Sequence, residues 1–224
     1  MKTDNITAAR KHNDNSIELT ITDPFDKALE QKKRFSAIRG GISWPTTKGP
    51  AYFCIVGQEY LPSEAWEKKP SGPLVLLDEY ASESFSLTKF YRRITDIAEQ
   101  FLCRDFYVII PENRYESGYI HDFEVFAREI KSNVNLCNAY DADNFLIGVS
   151  RIRERIDSRT LTIPEDSIVH AQLSVITRED LENSPEEVFW GVNGLRHVIG
   201  SYCRFAPTNS KLIKPMPAKD WRLA

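Results

Sequence analysis

The amino-acid sequence predicts an α/β fold in which a mixed central sheet is flanked by helices. Three apolar runs follow one another early in the chain with turn-forming residues between them, which favours an antiparallel meander. The next segments alternate between helical periodicity and short apolar runs, as is typical of parallel strands joined by helices. Two further segments with helical spacing complete the predicted domain.

The three strands of the predicted meander are short apolar segments bounded by glycine, proline or polar residues. They span residues 34–43, 51–60 and 73–81. The turn WPTTKGP separates the first two, and a longer polar connection leads to the third. The run PLVLLDEYA predicts that the third strand is buried on both faces.

The alternating half begins with a helix at residues 85–102, where four apolar side chains recur at helical spacing: Phe90, Ile94, Ile97 and Phe101. The elements predicted after it are a strand at 105–110, a helix at 121–132, a strand at 134–140, a helix at 144–158, an extended piece at 159–164, and helices at 166–182 and 186–202.

These elements form one predicted domain over residues 31–203. Residues 1–30 show few core signals and are predicted to be a flexible N-terminal segment. Residues 204–224 contain several prolines and five basic residues against one acidic residue, which predicts a basic arm that is extended or disordered. No Walker-type nucleotide-binding motif is present in the sequence, so no motor domain is predicted.

Composition limits the possible function classes. The formal net charge of −3 gives no global attraction to nucleic acid or membrane, so any polyanion site must be a local patch. The sequence has no apolar run that could span a bilayer and no N-terminal signal pattern, which predicts a cytoplasmic protein without a membrane partner. The four cysteines form no C-x-x-C pair and are predicted to be reduced and structural.

The last predicted helix, EEVFWGVNGLRHVIGSY, contains residues that helices usually avoid. Its apolar stripe consists of Val188, Val192, Leu195 and Ile199. Asn193 lies beside this stripe between Gly191 and Gly194, and both residue types are poor helix formers. His197 follows one turn later, so a structural hydrogen bond between Asn193 and His197 is predicted.

Three segments resemble the C-terminal nuclease domain of the large terminase subunit of tailed phages. GGISWP at 40–45 is similar to the end of its first strand, and residues 138–164 are similar to its succession of strand, loop, basic helix and extended piece. FWGVNGLRHVI at 189–199 is similar to its acidic last helix. The resemblance implies a ribonuclease H-like fold over roughly residues 34–203. It also implies a phage or prophage protein of the bacterial cytoplasm that acts in DNA packaging.

The resemblance also implies where catalytic acids would lie. Two-metal nucleases hold two divalent cations with several convergent carboxylates. The corresponding positions in this chain are Ser43, Ile110, Phe189 and Asn193, none of which is acidic. The prediction is therefore a degenerate nuclease domain with no catalytic residue and no metal cofactor. It would act by binding double-stranded DNA or packaging and assembly proteins.

Two alternatives stay open. In the first, a divergent DNA endonuclease holds Mg²⁺ or Mn²⁺ through Glu112, two residues beyond Ile110, with help from Asp78 and neighbouring Glu79. Solvated charge at strand ends is the favoured interpretation of these acids. In the second alternative, the chain is an assembly protein without DNA contact that docks on a partner through the arm at 204–224.

The helix at 144–158 carries the DNA-binding prediction. Its expected buried stripe is Phe145, Val149, Ile152 and Ile156. Arginine recognises phosphate through its planar guanidinium, and the arginines expected to project from the other faces are Arg151, Arg153 and Arg155, with Arg159 just beyond. Lys48, in the first turn, is a further candidate. The alternative is an ordinary solvated face on which Glu154 and Asp157 pair with the arginines.

Overall fold

The computed structural model describes residues 6–22, 30–46, 49–61, 72–82, 86–110, 118–139, 145–182 and 188–202. Eight strands and six helices lie within these residues. The strands are β1 Ile6–Lys11, β2 Ile17–Thr22, β3 Glu30–Ser43, β4 Tyr52–Glu59, β5 Leu74–Ala81, β6 Asp105–Val108, β7 Asn135–Asn138 and β8 Leu161–Thr162. The helices are α1 Leu87–Gln100, α2 Gly118–Glu129, α3 Phe145–Asp157, α4 Ile168–Val175, α5 Arg178–Glu182 and α6 Trp190–Tyr202. No helix in these described stretches is both long and apolar enough to cross a membrane.

The long strand β3 organises the sheet. One edge of β3 pairs antiparallel with β4, which continues to β5 and then to the short parallel strand β8. The other edge pairs antiparallel with β2 near its start and parallel with β6 at Gly40 and Gly41. Beyond β6 lies β7, also parallel. The predicted α/β class, the meander and the mixed sheet are therefore confirmed.

The N-terminal segment departs from the prediction of a flexible stretch over residues 1–30. Within it, β1 and β2 form an antiparallel hairpin that joins the sheet through β3. Alternate residues of β2 are buried, with Leu19 fully enclosed. The pattern IELTIT has the period of two that a half-buried strand requires. This strand pattern was not predicted because the residues on either side of it are so polar.

Apolar layers cover both faces of the sheet. Alternate residues of β4 enter different layers: Phe53 and Ile55 pack on the side of α1 and α2, whereas Tyr52, Cys54 and Val56 pack on the side of α3, α4 and α6. Alternation follows from the strand pleat, in which successive side chains point to opposite faces. The predicted burial of β5 on both faces is also confirmed, since Leu76 and Leu77 enter opposite layers.

The described cysteines fit their predicted structural role. Cys54, Cys103 and Cys137 form no disulfide, and the first two are buried. Burial raises the pKa of both buried thiols well above the ordinary value, so they are protonated at physiological pH.

The helix predicted at 166–182 is in fact two helices. Ile176 is extended and ends α4, and Thr177 is the N-cap residue of α5. The Thr177 hydroxyl and backbone amide both donate to the Asp180 carboxylate, while the Asp180 amide donates to the Thr177 hydroxyl oxygen at 3.2 Å. This reciprocal arrangement is a capping box, which starts a new helix. Its sequence signature, TRED, lies in the printed chain.

The helices α1, α2 and α3 all end in the same motif. Leu102, Lys131 and Arg159 adopt left-handed backbone conformations with φ of 52°, 54° and 56°. In α1 the Leu102 amide donates to the Glu99 carbonyl, and the Cys103 amide donates to the Ala98 carbonyl at 2.9 Å. The ends of α2 and α3 repeat both bonds. This is the Schellman motif, which usually places glycine at the left-handed position.

Replacing exposed Lys131 by glycine should therefore stabilise the protein. The left-handed conformation costs an L-residue about 1–2 kcal/mol, whereas glycine loses more chain entropy on folding. We expect Lys131→Gly to raise the free energy of unfolding by about 0.5–1 kcal/mol in urea titrations. Lys131→Ala removes the same charge but keeps the strain, so it is the matched control. A glycine variant no more stable than the alanine variant would contradict this account.

Candidate functional site

The strand β3 and the helix α6 approach each other most closely at two glycines. A Cβ atom on Gly41 would lie 2.1 Å from the Gly194 carbonyl oxygen. A Cβ atom on Gly194 would lie 2.6 Å from a ring carbon of Tyr52. Both positions therefore require glycine at this backbone separation. The absence of a side chain at Gly194 thus lets the last helix pack closely on the sheet.

The helix α6 is buried on all sides, because the sheet covers one side and α3 and α4 cover others. The prediction of a single apolar stripe is therefore incomplete: Val192, Leu195 and Ile199 are buried, but so are the residues between them. Val188 precedes the helix and is 50% exposed. Charged and polar residues inside α6 must consequently find partners within the protein.

Three buried polar side chains connect β3 to α6. The Asn193 Nδ2 atom donates to the Ser43 Oγ atom at 3.1 Å, and the Arg196 Nε atom donates to the Asn193 Oδ1 atom at 2.6 Å. The exposed fractions of Ser43, Asn193 and Arg196 are 2%, 8% and 4%. We call these three residues the junction network. The structure thus brings together two of the predicted acid positions, Ser43 and Asn193, and adds an arginine that sequence reasoning missed.

The helix α3 forms the slot that holds Arg196. The guanidinium carbon lies 5.4 Å from the centre of the Phe145 ring, within range of a cation–π interaction. A Cβ atom on Gly148 would lie 2.8 Å from the Arg196 Cδ atom. The absence of a side chain at Gly148 therefore makes room for the arginine stem. One signal of this role is visible in the sequence: Arg196 is the only arginine or lysine in FWGVNGLRHVIGSY.

His197 is a second polar tie between α6 and β3. Its Nδ1 atom donates to the Ile42 carbonyl oxygen at 2.7 Å. Burial, and then the nearby positive charge of Arg196, lower the pKa of His197 to about 3, so its ring is neutral at physiological pH. The predicted hydrogen bond between His197 and Asn193 is wrong. Both side chains reach β3 independently, because the glycine contact brings its backbone within range.

Glu79 is also an internal tie, and the interpretation of it as solvated charge is wrong. Its carboxylate accepts hydrogen bonds from the Tyr52 hydroxyl at 2.9 Å, from the Ile168 amide, and from the Val169 amide at 3.4 Å. The two amides belong to the first turn of α4, where the helix dipole favours an anion. Burial nevertheless raises the pKa of Glu79, and the three hydrogen bonds oppose that rise.

The other predicted acid positions do not join the junction network. Ile110 packs against the layer of α1 and α2, and its amide donates to the Asn138 Oδ1 atom at 3.1 Å. Phe189 is buried in the α6 layer, where its carbonyl accepts the Asn193 amide.

The acids considered as surrogate ligands fall elsewhere. The strand register sets Asp78 opposite Ile55, whose side chain belongs to the layer of α1 and α2, on the far face of the sheet from the junction network. Glu112 lies outside the described residues, as do Lys48 and the arm at 204–224.

The arginines of α3 do not all face solvent. Phe145, Val149 and Ile152 are buried as predicted, but Arg153 is only 7% exposed, and its burial lowers its pKa. The prediction that Arg153 projects outward is therefore wrong. It lies one helical turn after Val149, so it shares the buried face. The other predicted contacts are accessible: Arg151 and Arg155 are half-buried, and Arg159 is exposed.

The junction network does not fit the two divalent cations that the resemblance implies. Mg²⁺ and Mn²⁺ require hard oxygen ligands, with carboxylates supplying negative charge. Ser43 and Asn193 offer neutral oxygens that already take part in hydrogen bonds, and Arg196 adds a positive charge. Among the residues described by the structure, no three His, Cys, Asp or Glu side chains are grouped to hold a metal ion. The donor set of the junction network is therefore unsuited to metal-assisted hydrolysis.

No protein-family model matches this chain, and no curated protein shows significant similarity to it.

Gly194→Ala tests the close contact of β3 and α6. The added methyl group must displace the buried Tyr52 ring, so we expect a loss of about 1–3 kcal/mol in the free energy of unfolding. Gly191→Ala is the matched control, because its Cβ atom would meet the end of the Gln172 side chain at 2.9 Å. Alanine gains about 1 kcal/mol of helix propensity at both positions. If the two variants are equally stable in urea titrations, the close packing of α6 at Gly194 does not limit which residue can occupy that position.

The buried neutral His197 should make stability pH-dependent. Its pKa is about 3 in the folded state, whereas an unfolded histidine takes up a proton near pH 6.5. Its contribution is therefore fully present above pH 6.5 and is lost as the pH falls from there toward 3. Between pH 7 and pH 5 we expect wild type to lose about 2 kcal/mol more stability than His197→Asn, which retains a donor for Ile42.

Urea unfolding at pH 5, 6 and 7 provides the measurement. The control is His121→Asn, which removes a histidine that is exposed on α2. Parallel stability profiles for wild type and His197→Asn would show that the ring is not held neutral.

Proposed function

We propose that this chain is a ribonuclease H-like domain of the terminase-nuclease type that acts in DNA packaging by binding double-stranded DNA without cleaving it. Two features support the proposal: the arrangement of the sheet, and the chemistry of the junction network. The accessible arginines of α3 provide the candidate contact surface.

The sheet supports the ribonuclease H-like assignment. Its meander, β3–β4–β5, is followed by two parallel strands, β6 and then β7, on the edge of β3 that also pairs with β2. The helices α1 and α2 each precede one of these parallel strands. A mixed sheet that combines a three-strand antiparallel meander with parallel strands is the architecture that the resemblance implies.

The single observation that carries the functional proposal is the junction network. The end of β3 meets the first turn of α6, as the resemblance requires, and the Ser43 and Asn193 side chains are 3.1 Å apart. The chemistry at this meeting point is different, because a hydroxyl, an amide and a guanidinium replace the carboxylates. Metal-assisted hydrolysis needs a cation to activate water and to stabilise the leaving oxygen. A network whose one charged member is an arginine supports binding in place of cleavage.

The arginines of α3 supply the proposed DNA surface. Arg151 and Arg155 are one helical turn apart and so share a face, and Arg159 follows at the end of the helix. Phosphate contacts position a protein on DNA and give binding that weakens with salt. Because the net charge of the chain is −3, such binding must come from a local surface.

Fluorescence anisotropy with a labelled duplex at 50–200 mM salt tests this function, with about one unit of salt slope expected for each phosphate contact. We expect Arg151→Ala/Arg155→Ala to weaken binding and to lower the slope by about 2. Arg104 is an exposed arginine outside α3, so Arg104→Ala is the control. It should change the affinity and the salt slope only by the small effect of removing one positive charge. Incubation of plasmid with Mg²⁺ or Mn²⁺ should give no cleavage.

Other results would favour the competing functions. Metal-dependent cleavage that disappears in Glu112→Ala would establish a divergent nuclease and refute the proposal. Absence of salt-dependent DNA binding would also refute it. Co-purification with a packaging protein that is lost on deletion of residues 204–224 would then indicate an assembly protein.

A further inference from the structure

Arg196 determines how the Asn193 amide is oriented in the junction network. An arginine can only donate hydrogen bonds, so its bond at 2.6 Å fixes the Oδ1 atom of Asn193 toward the guanidinium. The Nδ2 atom must then face Ser43, as observed. The amide oxygen that could coordinate a cation on α6 is thus directed at a permanent positive charge.

Arg196 is built into this place. Its side chain is 4% exposed, its stem fills the space above Gly148, and its guanidinium lies against the Phe145 ring. A surface arginine could swing away and let an ion enter. Arg196 is enclosed by α3 and α6, so movement away from Asn193 would require the two helices to separate.

We propose that the Arg196 guanidinium is a resident cation of the junction, which holds the position a divalent ion would need and excludes Mg²⁺ and Mn²⁺ from it. This deepens the proposed function and rests on it, because it concerns the same degenerate site. Exclusion has two separable causes: the lack of carboxylates among the three residues of the junction network, and the presence of the arginine. If the arginine contributes to exclusion, restoring carboxylates alone should not restore metal binding.

The distinction follows from charge. A carboxylate introduced at position 193 would lie where the Asn193 Oδ1 atom already accepts from Arg196 at 2.6 Å, and would pair with the guanidinium, as arginine and carboxylate groups commonly do. The arginine would then neutralise one of the two negative charges that the Ser43→Asp/Asn193→Asp variant offers to a divalent ion. Removing the guanidinium while keeping the buried volume, as in Arg196→Met, leaves the carboxylates available to an oxygen-preferring cation.

Mn²⁺ titration by calorimetry and electron paramagnetic resonance compares two variants, Ser43→Asp/Asn193→Asp and the same pair with Arg196→Met. We expect the triple variant to bind one Mn²⁺ at least tenfold more tightly than the double variant. Circular dichroism establishes that each variant is folded. Equal Mn²⁺ affinity in the two, or no binding by a folded triple variant, would overturn the resident cation.

A simpler pair covers the case in which the triple variant does not fold. The unfolding temperature of Asn193→Asp/Arg196→Met should rise in Mn²⁺, whereas that of Asn193→Asp should not; equal shifts in both would overturn the proposal. The wild-type protein provides an independent check that does not depend on whether the multiple variants fold. Its unfolding temperature should be the same in EDTA and in Mn²⁺, and a rise in Mn²⁺ that is lost in Asn193→Ala would overturn the proposal.

These readouts separate the two proposals. A wild-type protein that excludes Mn²⁺ but does not bind DNA refutes only the DNA-binding function. A wild-type protein that binds DNA through α3 and also binds Mn²⁺ at Asn193 refutes only the resident cation.

Discussion

The contact between Gly41 and Gly194 is the constraint on which the rest of the structure depends. With no side chain on either residue, the backbone of α6 comes close enough to β3 that a single added Cβ atom would collide. This separation lets α6 sink between the sheet and the helices α3 and α4, where it is buried on every side. The glycines that lower the helix propensity of α6 are therefore the condition for its tertiary position.

The same contact explains the polar residues of α6. Asn193 and His197 reach Ser43 and the Ile42 carbonyl directly because the two backbones are so close. At the other end of the helix, Arg39 of β3 donates to the Ser201 carbonyl at 2.8 Å, where the helix dipole favours a cation. Direct hydrogen bonds between protein atoms thus connect α6 to β3 near both ends of the helix.

This internal bonding connects the fold to the proposed function. A metal centre would hold the end of β3 to α6 through shared carboxylate ligands, whereas the junction network holds it through an amide and a guanidinium. A junction stabilised in this way holds β3 to α6 without an ion. The scaffold remains a rigid support for α3, whose accessible arginines are the candidate surface for phosphate recognition.

The sequence by itself determined the α/β class, the meander and most elements of the alternating half, because apolar periodicity is a local property. It also indicated that Gly194 and Asn193 have a tertiary purpose. Only the tertiary structure decided that the polar N-terminal hairpin joins the sheet, that Arg153 and Arg196 lie inside, and that Glu79 caps α4. Those outcomes depend on partners far apart in the chain, such as Ser43 and Asn193, 150 residues apart. Tertiary packing determines which distant residues meet, and local sequence periodicity contains no information about those contacts.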